Sequence, residues 1–315
     1  MSDLALGPGR EFDAIRAMLA RWGSSAVGIG GDAAELVVPD GQRLLVSTDT
    51  SVENVHFRRE WLSPSEIGYR ATAGALSDLA AVAATPLAVL LSITVPATWR
   101  DAMLAVADGV AEAARAARAH IVGGDVVRGD ALSLTVTVLG VATHPWSRGA
   151  ASPGGRVYVT GALGGPSVAL RAWAEGGSPD AGARARFAHP EPRLLESRWL
   201  AHHGVVAAID ISDGLIADAR HVAAASRVRL TLDLSRVPHV DGIDPLAAAA
   251  SGEEYELLVV TRPEVELDTS AFTRAFGLPL TEIGIVTADD ASGRVDVTLA
   301  GARVDPPGGY DHFSS

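Results

Sequence analysis

The sequence contains no cysteine and no lysine. Without cysteine there can be no disulfide, no thiolate nucleophile and no iron–sulfur cluster. Without lysine all 26 basic residues are arginine, which excludes the phosphate-gripping lysine of P-loop and protein-kinase sites and any Schiff-base chemistry. Positive charge is scarce too. A formal charge of −12 leaves the chain without the positive surface that nonspecific nucleic-acid binding needs. Long apolar runs are also missing. The longest, Pro86 to Pro96, falls well short of the roughly 18–20 residues that span a membrane and reads as a buried strand. The first residues, MSDLALGPGREF, lack a basic segment followed by an apolar one, so no secretory signal is read there. The expectation is a cytoplasmic protein that engages neither membrane nor nucleic acid.

What is present is apolar and small. Hydrophobic residues make up 48% of the 315, a length and composition that suit two globular domains. Apolar residues at three- and four-residue spacing predict a helix over Glu11–Arg21. Strands are predicted at Glu35–Val38 and Leu44–Thr48, joined by the turn Pro39-Asp40-Gly41. Ser63-Pro64-Ser65-Glu66 is a capping box with proline at the first helical position, opening a helix to about Ala84. A strand at Ala88–Val95, a helix at Asp101–His120 and a strand at Leu132–Ala142 follow. The turn-rich stretch His144–Gly155 marks a domain boundary. Beyond it the pattern predicts strands at Arg156–Thr160, Val205–Ile211, Val228–Leu234, Tyr255–Val260 and Thr281–Val286. Helices are expected at Pro192–His202, Leu215–Ala225 and Ser270–Phe276, with a mobile loop or frayed helix end at Glu175–Arg186. Strands and helices mix without strict alternation, which favours an α+β fold over a doubly wound sheet.

Aspartates recur beside glycine or serine in four places: Gly30-Gly31-Asp32, Ser47-Thr48-Asp49, Gly123-Gly124-Asp125 and Asp210-Ile211-Ser212-Asp213-Gly214. Several follow apolar runs directly, which sets them where strands meet turns. Converging carboxylates repel unless a cation binds them, and magnesium, a hard ion with oxygen ligands, bridges carboxylates to phosphates. Singly, each such pair is ordinary turn chemistry, and Asp78 alone reads as a solvated helical residue. Two other patterns are decoys. Gly28–Ala33 fits the dinucleotide fingerprint, with Asp49 about 20 residues on, but the intervening ELVVPDGQR reads as strand and turn rather than helix. His202 and His203, adjacent on a helix, point to different faces and make poor co-ligands. His56, just after a predicted strand, is the one histidine near an aspartate cluster and reads equally well as a surface residue.

In order along the chain stand GIGGDAA (28–34), STDTSVENVHF (47–57), LSDLAAVAATP (76–86), GGDVVRGD (123–130), Arg148-Gly149-Ala150, HPEPR (189–193), IDISDGLIAD (209–218), GEEYEL (252–257) and GYDHF (309–313). Together they resemble the thiamine-monophosphate kinases, a family in the aminoimidazole ribonucleotide synthetase superfamily, over essentially the whole chain. The resemblance implies a two-domain α+β fold. Residues 1–146 would form a metal- and ATP-binding domain whose sheet makes a dimer interface, and residues 147–315 an α+β domain completing the ATP and substrate site. It implies transfer of the γ-phosphoryl of ATP to thiamine monophosphate. Ser47, Thr48, Asp49, Asp78, Asp125, Asp210 and Asp213 would hold magnesium, with these five aspartates carrying the catalysis. Gly124, Arg148 and Ser212 would contact ATP, and His56, Glu253 and Tyr310 would face thiamine monophosphate.

The chain departs from the family's pattern in four places. Gly31 replaces the first aspartate of G-D-D-x-A. Ala250, Ser251 and Glu254 differ from the S-G-G-E-D-Y-E-L segment. Ala75 stands for asparagine, and Gly155 for aspartate. Superfamily relatives that work through a cysteine or selenocysteine are disfavoured by its absence. A relative with another acceptor, or a nucleotide-binding paralogue with weak catalysis, fits the same motifs.

Overall fold

A computed structural model describes residues 10–29, 32–288, 293–305 and 308–309. The chain divides into two units, residues 1–79 with 84–144, and residues 80–83 with 145–315.

The first unit is built from α1 (Arg10–Trp22), β1 (Arg43–Val52), α2 (Pro64–Ala81), β2 (Thr85–Val95), α3 (Met103–Ala116), β3 (His120–Arg128) and β4 (Ser133–Ala142). Its strands form one sheet in the order β1-β4-β2-β3. β2 and β3 run parallel and α3 makes the crossover that a parallel pair requires, while the other pairs are antiparallel. The capping box forms as the residues dictate. The Ser63 N–H donates to Glu66 Oε2 at 2.7 Å and the Glu66 N–H to Ser63 Oγ at 3.4 Å. α2 and α3 then approach at two glycines. A Cβ on Gly68 would lie 2.0 Å from the Val106 carbonyl oxygen, and one on Gly109 would lie 1.8 Å from that of Ser65.

Register decides which side chains share a face of this sheet. Asp49 pairs with Val136, Val136 with Leu91, and Leu91 with Gly124. One step along, Thr50, Thr135, Ser92 and Asp125 form the next row. Successive residues point to opposite faces. The face of Leu91 and Val136 is the core side, where Val89, Ile93 and Val138 are also buried. The opposite face carries Thr48, Thr50, Thr135, Thr137, Ser92 and Asp125, and on it Leu44 and Val46 stay 45% and 60% exposed.

The second unit comprises β5 (Arg156–Thr160), α4 (Gly165–Ala174), α5 (Ala181–Ala188), α6 (Leu194–His202), β6 (Val205–Asp210), α7 (Leu215–Ser226), β7 (Val228–Asp233), α8 (Pro245–Ala249), β8 (Leu257–Thr261), α9 (Thr269–Phe276), β9 (Leu280–Ala288), β10 (Arg294–Leu299) and β11 (Ala302–Arg303). The sheet order is β11-β10-β7-β9-β5-β8-β6, parallel only between β7 and β10. Both faces are buried, and the strands show it by alternation. Val157, Val159, Leu258 and Val260 pack with Ile216, Ala219 and Val222 of α7. Tyr158, Leu257 and Val259 pack with Leu200 of α6 and Phe272 of α9.

The α+β class holds, and most predicted elements are present within a few residues. Glu35–Val38 is not a strand: residues 34–39 have no regular structure, and they carry no helix either, so the dinucleotide fingerprint has no helix behind it. The α2 helix ends at Ala81 rather than Ala84, and the third helix ends at Ala116 because His120 opens β3. β3, α4, α8, β10 and β11 were not legible in the pattern, and Glu175–Arg186 contains the start of α5, capped by Asp180, whose Oδ1 accepts the Gly182 and Ala183 N–H groups. Two aspartates sit elsewhere than expected. Asp49 and Asp125 lie inside β1 and β3, not where strands meet turns. Pairing with a neighbouring strand extends both strands past the glycine or threonine that reads locally as a stop. Among the described residues no helix is long and apolar enough to cross a membrane.

Candidate functional site

In the first unit β1 and α2 are joined by a side-chain bond. The Ser47 hydroxyl donates to Asp78 Oδ2 at 2.5 Å, with Asp49 on the same face of β1. Thr48 lies on the other face, its hydroxyl 3.0 Å from that of Thr137. Asp49 and Asp125 are both exposed, and each is oriented by the amide that follows it: the Thr50 N–H donates to Asp49 Oδ1 at 2.9 Å and the Val126 N–H to Asp125 Oδ1 at 3.0 Å. Gly124 is fixed by the sheet itself. At φ 155° a Cβ there would fall 1.9 Å from the Leu91 carbonyl oxygen, so the pairing with β2 requires glycine.

Asp125, Asp32, Thr135 and Thr137 line a cavity of about 670 Å³ whose other wall is Phe12, Ile15, Met18 and Leu19 of α1. A cavity of this size with one apolar and one polar wall suits a small organic ligand that carries charge at one end.

His56 sits in the turn after β1, half-buried, and its Nδ1 accepts the Val52 N–H at 3.1 Å. That bond assigns the ring proton of the neutral form to Nε2. The turn is pinned by Glu53, whose carboxylate accepts the Trp99 indole N–H with both oxygens at 3.0 Å.

In the second unit β6 delivers Asp210 to its end, 4% exposed, and the loop Ile211–Gly214 leads into α7. Asp218, in the first turn of α7 and 2% exposed, accepts the N–H groups of Ser212 and Asp213 on Oδ2 at 3.0 and 3.1 Å. Burial, and then the charges of Asp210 and Asp213, push the Asp218 carboxyl up to about 7. A place where carboxylates repel one another in this way is one that a cation relieves.

The segment Gly252–Tyr255 folds over the same loop. The Glu253 N–H donates to the Ser212 carbonyl at 2.7 Å, and the Glu254 and Tyr255 N–H groups share the Ile211 carbonyl at 3.1 and 2.9 Å. Glu253 and Tyr255 adopt φ of 63° and 54°, a left-handed conformation that costs non-glycine residues about 1–3 kcal/mol each and persists where surroundings enforce it. The Tyr255 hydroxyl donates to Glu253 Oε2 at 3.1 Å. Below this turn Glu254 and Glu256 are buried and paired with arginines. Arg186 donates to Glu254 at 2.9 Å, and Arg193 forks onto both oxygens of Glu256 at 2.8 and 2.6 Å.

The predicted residues therefore assemble in part. Asp210, Ser212, Asp213 and Glu253 come together, and so do Ser47 and Asp78, with Asp49 on the same face of β1. Asp125 and Thr48 face the other side of the first sheet from Asp49. The Arg148 backbone lies at the other end of α7 from Ser212 and Asp213. Its carbonyl accepts the Ser226 hydroxyl at 2.7 Å, at the C-terminal end of α7, and that helix is about 18 Å long. Gly31 and Tyr310 lie outside the described residues. The decoy His203 stacks on Trp199 at 3.6 Å, a structural role. Sequence reasoning assigned no role to Asp218, Arg193, Glu256 or Glu53, although each stands in a quoted motif. The oxygen donors suit magnesium in kind, but among the described residues no three Asp, Glu, His or Cys side chains are placed to hold a metal ion.

Comparison with known proteins covers nearly the full length. The AIR synthase related protein N-terminal domain matches residues 30–142 and the corresponding C-terminal domain residues 152–297. The thiamine-monophosphate kinase of Bacillus subtilis (strain 168) is 32% identical, across 96% of this chain and 99% of that protein. The crystal structure of thiamine-monophosphate kinase from Stenotrophomonas maltophilia K279a superposes with a TM-score of 0.80 at 31% identity, covering 95% of this chain and 98% of that one. The structure of AaThiL complexed with AMPPCP and TMP has a TM-score of 0.77 at 27% identity, covering 96% and 97%.

Proposed function

The chain belongs to the thiamine-monophosphate kinases of the AIR synthase related family, and we propose that it transfers the γ-phosphoryl group of ATP to thiamine monophosphate, giving thiamine diphosphate and ADP. The observation that carries this reading is the end-to-end likeness to these kinases, one of which is solved with AMPPCP, an ATP analogue, and TMP. In the reaction a terminal oxygen of the acceptor phosphate attacks the γ-phosphorus. A P–O–P bond forms there as the bond to the β-phosphate oxygen breaks, and ADP leaves with that electron pair. Such a transfer asks for positioning and charge neutralisation rather than a covalent enzyme nucleophile, so a chain without lysine or cysteine can perform it.

Magnesium, when bound, supplies the positive charge that lets two anionic phosphates meet. Ser47, Thr48, Asp49, Asp78, Asp125, Asp210 and Asp213 would hold magnesium ions around the triphosphate. Ser212 contacts the triphosphate in this reading, and Arg148 pairs with a phosphate as a two-pronged donor. The apolar wall of α1 in the 670 Å³ cavity suits the base. His56 presents Nε2–H, and Glu253 a carboxylate on a rigid turn, to the acceptor, with Tyr310 completing its contacts.

A homodimer, joined through the exposed face of the first sheet, is part of the proposal. Leu44 and Val46 on that face are apolar and exposed. Asp49 and Asp125 stand on strands three places apart, about 14 Å at the usual spacing, too far to share one ion within a chain. The substrates set the reaction in the cytoplasm.

The test is incubation of the protein with ATP, magnesium and thiamine monophosphate, with thiamine diphosphate followed by chromatography. Magnesium-dependent product from the monophosphate, and none from free thiamine, is expected. ATP binding without product would overturn the assignment and favour a different acceptor.

A further inference from the structure

The loop Ile211–Gly214 is held from three directions, and Asp218 bonds to the backbone amides of both Ser212 and Asp213. From α7, its buried carboxylate takes both N–H groups. From the other side, the Ser212 carbonyl takes the Glu253 N–H, and Ile211 exchanges backbone bonds with Glu254, Tyr255 and Glu256. From the C-terminal segment, Gly309 packs so closely that a Cβ on it would lie 2.8 Å from the Asp213 carbonyl oxygen and 2.3 Å from Ala217 Cβ. Three motifs read from the sequence thus meet at the backbone of two residues. The Ser212 backbone binds Asp218 through its nitrogen and Glu253 through its oxygen, so a shift at one end is felt at the other.

We propose that Asp218 is a positioning residue, whose buried carboxylate sets the Ser212–Asp213 backbone and, through the Ser212 carbonyl, the turn that presents Glu253. It touches neither substrate. It couples the loop assigned to ATP and magnesium with the turn assigned to the acceptor, and to that extent rests on the kinase reading. The chemistry needs only an acceptor oxygen at this position. Asparagine can take both N–H groups, whereas leucine, branched at the same carbon but carrying only methyl groups there, can take neither.

Two measurements test this, one of them independent of activity. Hydrogen exchange of the unmodified protein should show the Ser212 and Asp213 amides protected like those of β6; free exchange at both would overturn the clamp whatever reaction the enzyme catalyses. Then Asp218→Leu and Asp218→Asn are compared by steady-state kinetics with each substrate varied in turn. Asp218→Leu should lose at least about tenfold in kcat/KM, the scale of losing a supporting hydrogen-bond partner, for ATP and for thiamine monophosphate alike. Asp218→Asn should recover most of that loss and keep both amides protected. Three outcomes overturn the proposal: a leucine variant with unchanged kcat/KM, a loss confined to one substrate, or an asparagine variant as impaired as leucine. If the leucine variant does not fold, the asparagine variant and the exchange of the unmodified protein still decide. Absence of phosphoryl transfer in the unmodified enzyme would instead count against the kinase reading and leave the exchange result standing.

Discussion

Asp49 and Asp125 lie on opposite faces of one four-stranded sheet. Asp49 shares its row with Val136, Leu91 and Gly124, and Asp125 shares the adjacent row with Ser92, Thr135 and Thr50. Both follow small residues in motifs that look interchangeable in the sequence, yet the period of two separates them. The two carboxylates therefore serve different surroundings: Asp49 the face reached by Asp78, Asp125 the cavity lined by α1.

If each site draws Asp49 from one subunit and Asp125 from the other, two inactive variants should rescue each other. Asp49→Ala and Asp125→Ala, each inactive alone, are mixed under conditions that exchange subunits. Random pairing then returns up to about a quarter of the native activity, because a mixed dimer contains one intact site. No recovery, with exchange verified, would place both residues in a single-chain site or outside it.

Ser47→Ala deletes the hydroxyl that donates to Asp78. The carboxylate loses its orientation but not its charge, so turnover at saturating magnesium should persist while the magnesium requirement rises about tenfold. Asp78→Ala removes the ligand itself and should abolish turnover. Rate measured against magnesium concentration distinguishes them, and an unchanged curve for Ser47→Ala removes Ser47 from the site.

Gly124→Ala tests a structural demand rather than a ligand contact. Its methyl group would meet the Leu91 backbone, which can yield only by opening the pairing of β2 and β3. A loss of at least about 2 kcal/mol is expected in denaturant unfolding without any nucleotide. Native stability with weakened ATP binding would reverse this interpretation.

Burial pushes the Glu254 carboxyl up to about 7, against the pull of Arg186 and the Gly164 N–H. Between about pH 4 and pH 7 the group then holds its proton in the fold and loses it on unfolding, so stability falls as pH rises through that window and is level above it. Glu254→Gln abolishes the titration. The unfolding free energy of the native protein relative to this variant should decline from about pH 4 to 7 and stay flat at higher pH. A difference independent of pH would show that Arg186 keeps Glu254 ionised throughout.

What the chain states locally, it states well. The capping box at Ser63 needs only residues three apart, and the predicted helix forms from it. The strands Arg156–Thr160 and Val205–Asp210 were visible as apolar runs between turns, and the ordered motifs were enough to indicate the family. β3 was hidden because Gly123-Gly124 reads as a turn, and only pairing with β2 extends the strand through it. Asp218 drew no assignment, since nothing nearby in sequence says that it is buried or that it bonds back to Ser212 and Asp213. Nothing local told where Arg148 lies, and only the fold sets its backbone at the C-terminal end of α7. Short-range steric and hydrogen-bonding preferences act between residues a few positions apart and can be read directly. Register, burial and the meeting of distant loops depend on which surfaces pack together, and those were decided only when the chain folded.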